Sequence, residues 1–183
     1  MIINEKIRLQ ALEESDFDQL IAEIPDARFL LQWAGPKYTY PLDASQLRDT
    51  LLKTTGDKPS FKVFKAVLSE TSETIGHIQL MNINYNASTC VLGRVLIFAA
   101  YRGEGLSKAM VKPAIEYTFN VLGLNEIAIN VFDFNASAIA LYKGLGFLEY
   151  EVLKNARPFQ GKNWNIIKMN LNRARWQDNN RNA

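Results

Sequence analysis

The hydrophobic pattern of this chain changes period once, near residue 98, and that change limits the fold more than any other feature. Before it, Lys6–Leu12, Ser60–Leu68, Thr74–Asn82 and Thr89–Phe98 alternate apolar with polar residues. Such alternation marks strands buried on one face. The polar turn Ser69–Glu73 joins the second and third into a hairpin, and the loop Asn84–Ser88 leads to the fourth. After it, apolar residues recur at helical spacing through Leu106–Leu122. Strand Glu126–Phe132, helix Ser137–Lys143 and strands Phe147–Leu153 and Trp164–Leu171 follow. Antiparallel strands first and a β-α-β-α-β run second predict a mixed α/β architecture, one sheet flanked by helices. The front of the chain adds a helix over Glu13–Ile24, stopped by Pro25, and a short one through Lys53 capped by Asp43 or Ser45. Between them, residues 26–44 read as irregular and aromatic.

Composition removes several classes of function. The 183 residues carry 21 Lys and Arg against 19 Asp and Glu, a net charge of +2. A nucleic-acid binder that works by neutralising phosphates needs a basic face, so that class is disfavoured. One Cys cannot form an internal disulfide, and with one His it cannot complete an all-His/Cys zinc site. No metal is expected. The N-terminus has charges inside its only apolar stretch, unlike a secretory signal. Val91-Leu-Gly-Arg-Val-Leu-Ile-Phe-Ala-Ala is interrupted by Arg94, and nothing approaches the ~20 apolar residues of a membrane span. A single cytoplasmic domain over residues 1–172 is the expectation, with 173–183 a polar, frayed tail.

The first chemical signal lies at the change of period. Tyr101-Arg-Gly-Glu-Gly-Leu-Ser-Lys joins a strand directly to a helix. Its glycines permit positive φ and close approach of a ligand to the backbone. The first N–H groups of the helix have no internal partners and sit at the positive end of its dipole. Together they form a receptor for phosphate or pyrophosphate, with Arg102 and Lys108 adding charge. A dinucleotide fingerprint fails at Lys108, where a third Gly is needed, and a P-loop is absent. An ordinary Gly-rich turn remains the plainer reading of the same residues. Within the helix, Pro113 removes one hydrogen bond and predicts a bend near Ala109–Pro113.

The second signal is Asp133-Phe-Asn135-Ala-Ser-Ala-Ile-Ala-Leu-Tyr142-Lys-Gly-Leu-Gly-Phe147. Asn135 stands as an N-cap. Tyr142 is about two turns further on, so both point to one side of the helix. A phenol facing a reacting centre can serve as general acid; a core aromatic with a bonded hydroxyl is the plainer alternative.

Taken together, Arg102-x-x-Gly105-x-Ser107 and the Asn135–Phe147 block resemble the GNAT superfamily of N-acetyltransferases. The likeness in motif order and spacing spans roughly residues 5–172. It implies a GNAT-like fold: a mostly antiparallel sheet of six to seven strands with about four helices. It also implies acetyl-CoA as cosubstrate and a primary amine as acceptor. Backbone N–H groups of Gly103, Gly105, Leu106 and Ser107 would hold the pyrophosphate, with Arg102 beside them. The strand end around Ile97 would pair with the pantetheine arm, and Asn135 would contact that arm. Tyr142 would protonate the departing thiolate. Direct attack by the amine leaves Cys90 no nucleophilic role. Gln32-Trp33-Ala34-Gly35-Pro36 and Gly161-Lys162-Asn163-Trp164 look more like the RimJ/RimL-like branch than the histone branch.

The departures from the family pattern set the open questions. In the ribosomal-alanine branch a Glu five residues before the Asn acts as base, and that position is Asn130 here. His77, Glu73, Asp133 or a water chain remain, with water preferred. His77, in an alternating strand, is expected to be half-exposed, and Gly144 is expected to shorten the helix after Tyr142. Trp33, Tyr38 and Tyr40 either wall an acceptor pocket or cover a sheet edge. Exposed strand edges permit a homodimer. An acyl-CoA-binding sensor without turnover is the alternative to an enzyme. The charge is also uneven: about −3 over residues 1–60 and about +3 over 61–169, a sign that suits an anionic CoA in the later half.

Overall fold

The computed structural model describes residues 2–3 and 6–181. Among these residues eight strands form one sheet: β1 (Ile2–Ile3), β2 (Ile7–Ala11), β3 (Lys62–Leu68), β4 (Thr74–Asn84), β5 (Thr89–Ile97), β6 (Glu126–Phe132), β7 (Leu148–Phe159) and β8 (Lys162–Asn172). Their spatial order is β1-β2-β3-β4-β5-β6-β8-β7. Every neighbouring pair is antiparallel except β5 and β6, which run parallel. The mixed α/β sheet read from the pattern is the one observed, and it is mostly antiparallel, as the family resemblance implied. Seven strands have five or more residues, and β1 has two.

Among the described residues six α-helices flank the sheet: α1 (Phe17–Ala22), α2 (Ala27–Ala34), α3 (Ala44–Leu51), α4 (Leu106–Glu116), α5 (Ala136–Gly144) and α6 (Arg173–Arg181). Two of these go beyond the helices expected from sequence. α2 occupies the segment read as irregular. Asp26 caps it by accepting from the Phe29 N–H, and Leu30 fixes its buried face. Its Trp and the Gly-Pro that follows hid an ordinary N-cap signal. α6 replaces the expected frayed tail. Trp176 is 7% exposed and joins the main core, while Arg173 donates to the Leu124 carbonyl. One buried indole anchors an otherwise polar helix, since losing such a ring costs ~3–5 kcal/mol.

The main core packs α4 against the sheet through Met110, Val111, Ala114, Ile115 and Phe119. A second core packs α1, α2 and α3 through Phe17, Leu20, Leu30 and Leu47 onto Val63, Leu96 and Phe98. α4 runs unbroken from Leu106 to Glu116 with Pro113 inside it, and a π turn follows over Tyr117–Val121. α5 also runs two residues past Tyr142, to Gly144, where an added side chain would meet open space.

A bulge in β5 is the feature that positions the site. His77 pairs with Leu96 but Gln79 pairs with Gly93, so β5 holds one extra residue. Arg94 takes it up at φ +49°. Because side chains alternate with period two, an extra residue switches faces. Cys90 and Leu92 therefore enter the main core, yet Leu96 enters the second core and Ile97 the main one.

Candidate active site

The parallel pair β5–β6 stays paired only at Thr89–Glu126, Cys90–Ile127 and Val91–Ala128. Beyond Val91 the strands separate, and a cleft of about 410 Å³ opens between them. Phe98 N–H bonds the Ile75 carbonyl, and Leu96 faces His77. By the alternation of an antiparallel ladder, this turns the backbone N–H and C=O of Ile97 away from β4, toward the cleft. The carbonyl accepts from Arg102 Nε at 2.9 Å. The N–H faces the opening, as a ligand that pairs with a strand edge requires.

Five of the eight residues assigned to the site from sequence line this cleft: Ile97, Arg102, Ser107, Asn135 and Tyr142. Gly103, Gly105 and Leu106 do not line it. Gly103 (φ +86°) and Gly105 (φ +72°) form the turn at its mouth, with no atom within 4 Å of an added Cβ, and Leu106 sends its side chain into the core. Gly105 is the N-cap of α4 and contributes no side chain, so the first N–H groups of that helix have no side-chain cap. Arg102 also reaches Glu23 at 3.6 Å, while Glu23 accepts from Ala99 N–H. That pairing holds the loop to α1.

Asn135 caps α5, its Oδ1 accepting from Ala138 N–H at 3.3 Å and from Ser137 Oγ at 3.1 Å. The amide NH₂ is the group left for a ligand. Tyr142 is 6% exposed and packs edge-on to Phe147. Burial pushes its phenol well above the usual range, so it stays protonated at neutral pH. Seven residues of helix do bring Asn135 and Tyr142 to one wall.

On the opposite side, toward α2, lies a group that sequence reasoning missed. Arg94 is 7% exposed and lines the cleft. Its Nη1 donates to Tyr38 OH and to Gln79 Oε1, each at 2.8 Å, and its guanidinium lies 4.2 Å from the Tyr38 ring centre. Tyr38 in turn meets Thr50 Oγ1 at 2.7 Å, and Gln79 Nε2 meets His77 Nε2 at 2.9 Å. Since Gln79 Nε2 can only donate, His77 Nε2 accepts and the ring proton sits on Nδ1. Every bond in this network is polarised away from the Arg94 cation. The one available signal was an Arg inside an otherwise apolar strand.

This network corrects the reading of His77. It is fully buried, not half-exposed. Burial, aided by the charge of Arg94, pushes its pKa down to about 3. With Nε2 occupied, it is no base for the resting site. Asp133 is held by Asn165 and Glu73 by Thr71, and neither lines the cleft. Cys90 is buried, its thiol pushed up to about 12, and is inert. Of the front aromatics, Trp33 lines the cleft, Tyr38 supports Arg94, and Tyr40 is exposed with its hydroxyl on the Pro25 carbonyl.

A mostly antiparallel sheet split at one parallel pair, with a glycine turn and helix N-terminus at the mouth of the split, is the architecture of a GNAT-type acetyltransferase. The comparisons agree. Residues 6–148 match the GNAT acetyltransferase domain, and the chain belongs to that family. It is 22% identical over 176 residues to a spermidine N(1)-acetyltransferase of Vibrio cholerae, covering 95% of this chain and 97% of that protein. It is 25% identical over 163 residues to the spermidine N(1)-acetyltransferase of Escherichia coli K12, covering 89% and 84%. A crystal structure of the Vibrio cholerae spermidine N-acetyltransferase with CoA and spermine superposes with a TM-score of 0.82 at 22% identity, covering 95% of this chain and 99% of that one. No helix among the described residues is long and apolar enough to cross a membrane.

Proposed function

We propose that this chain transfers the acetyl group of acetyl-CoA to a primary amine by direct attack in a ternary complex. The observation that carries the reading is the cleft, with a free strand edge at Ile97, backbone donors at its mouth and a protonated phenol in its wall. In this reading the N–H groups of Gly103, Gly105, Leu106 and Ser107 hold the pyrophosphate, and Arg102 fixes the turn that presents them. Ile97 pairs with the pantetheine arm, and the Asn135 amide donates to it. Tyr142 gives its proton to the leaving thiolate. Burial keeps the proton on the phenol in the resting site, so it is present when charge develops on the sulfur beside it. No residue lining the cleft is a carboxylate, so the amine loses its proton to water.

The relatives named spermidine acetyltransferases make polyamines the first acceptors to test. The RimJ/RimL-like placement rests on Gln32–Pro36 and Gly161–Trp164 alone, and protein N-termini follow from it. The absence of a carboxylate base from the cleft favours a second reading, an acyl-CoA-binding sensor of the same fold. Free-thiol release from acetyl-CoA across polyamines, diamines, amino acids and N-terminal peptides separates the two. Transfer to any of them is expected; acetyl-CoA binding without thiol release supports the sensor.

A further inference from the structure

We infer that the acceptor end of the cleft is built for an amine that also carries a carboxylate, rather than for a polycation. This rests on the acetyltransferase reading above and names its substrate class.

Three observations carry it. First, Arg94 is a buried cation with no carboxylate partner; none of the ion pairs among the described residues includes it. Tyr38 and Gln79, which accept from it, are neutral, and the bonds onward to Thr50 and His77 spread its charge without cancelling it. A buried charge left unpaired is costly, and an anion brought by a ligand relieves that cost. Second, the remaining donors there point the same way. Arg94 Nε and Trp33 Nε1 are buried with no partner, and both residues line the cleft. An indole N–H and a guanidinium only donate. Third, the cleft lining has two Arg and no Asp or Glu. A polyamine carries several positive charges at neutral pH and finds no counterion along this wall.

The two cations are also divided in function by position. Arg102 is committed to the Ile97 carbonyl and to Glu23, at the CoA end. Arg94 sits three residues up β5 from Ile97, deeper by at most about 10 Å at the ~3.3 Å per residue of an extended strand, the bulge taking up part of that rise. Phosphate binding at the mouth therefore leaves Arg94 for the acceptor. Fixed by two hydrogen bonds from Nη1 and by the Tyr38 ring beneath it, the guanidinium is preorganised for a planar oxyanion.

The test uses matched acceptors that differ only by a carboxylate: lysine against cadaverine, and ornithine against putrescine, with spermidine as the polycation. Acetyl transfer is followed by thiol release and product mass. The expected result is kcat/KM at least tenfold higher for each carboxylate-bearing member, carried by KM. In Arg94→Gln that ratio should fall toward one, while KM for acetyl-CoA stays within about twofold. Trp33→Phe, which keeps an aromatic ring and removes the N–H, should lower the ratio by a smaller factor and covers the case in which the Arg94 variant does not fold. Equal or better use of cadaverine or spermidine by the wild type overturns the inference and leaves the acetyltransferase reading standing. Absence of transfer to every amine overturns both.

Discussion

The two ends of the cleft are built on opposite plans. The mouth is made of backbone: two glycines at positive φ, an uncapped helix N-terminus and open space around both α-carbons. The deep end depends on side chains: Arg94 lines it and is held from behind by Tyr38, Gln79 and His77, each buried and each bonded to another. A backbone cradle recognises a group common to all substrates of a class, because every chain has N–H groups. A side-chain network recognises what is particular, because its charge and shape depend on four residue identities. On the proposed function, this difference assigns the cosubstrate to the mouth and specificity to the deep end.

Tyr142→Phe probes the chemistry between the two ends and should have the largest effect. Loss of a general acid lowers kcat by about a hundredfold or more, with acetyl-CoA affinity nearly unchanged. Turnover at the wild-type level would remove Tyr142 from the reaction. At the mouth, Gly105→Val forces a β-branched residue to φ +72° and fills the cradle. Left-handed backbone costs a side-chain-bearing residue about 1–2 kcal/mol; the free loop relaxes out of it and binding must restore it, so acetyl-CoA affinity by calorimetry should fall roughly tenfold. The carboxylate preference of the acceptor should survive. A change in acceptor preference from Gly105→Val would break the division between the ends.

The same contrast explains how much was legible. The mouth is local: Arg102, Gly103, Gly105 and Ser107 lie within six residues, and their spacing states their geometry. Asn135 and Tyr142 share one helix, so a seven-residue interval placed both on one wall. The sheet was legible because alternation states which strands have a buried face. The deep end is long-range. Arg94 meets Tyr38 across 56 positions and Gln79 across 15, and a bulge, which no periodicity announces, turns it inward. His77 was misjudged for the same reason: alternation implied one wet face, but α2, unrecognised in sequence, brings Trp33 to 5.5 Å from its ring and covers it. Trp176 was lost in a polar context; a single indole outweighs eight polar or small neighbours once a groove receives it.

The smallest predicted effect tests the deep end alone. His77 is the only histidine, so no other side chain of ordinary pKa titrates between pH 5 and 6.5. Its folded pKa, about 3, lies below the model-compound value of 6.5 that the unfolded chain should show. The unfolded state therefore takes up a proton on acidification that the folded state refuses. Stability from a neutral His77 is fully present above pH 6.5 and is lost as pH falls from there toward 3. The slope approaches about 1.4 kcal/mol per pH unit once the unfolded histidine is protonated. Urea unfolding at closely spaced pH values should show the loss beginning near 6.5, ahead of the carboxylates, and His77→Gln should flatten it. A wild-type curve level from pH 6.5 to 5 would mean that His77 reaches water or a counterion. The network around Arg94 would then be open, and the contrast between a closed deep end and an open mouth would fail.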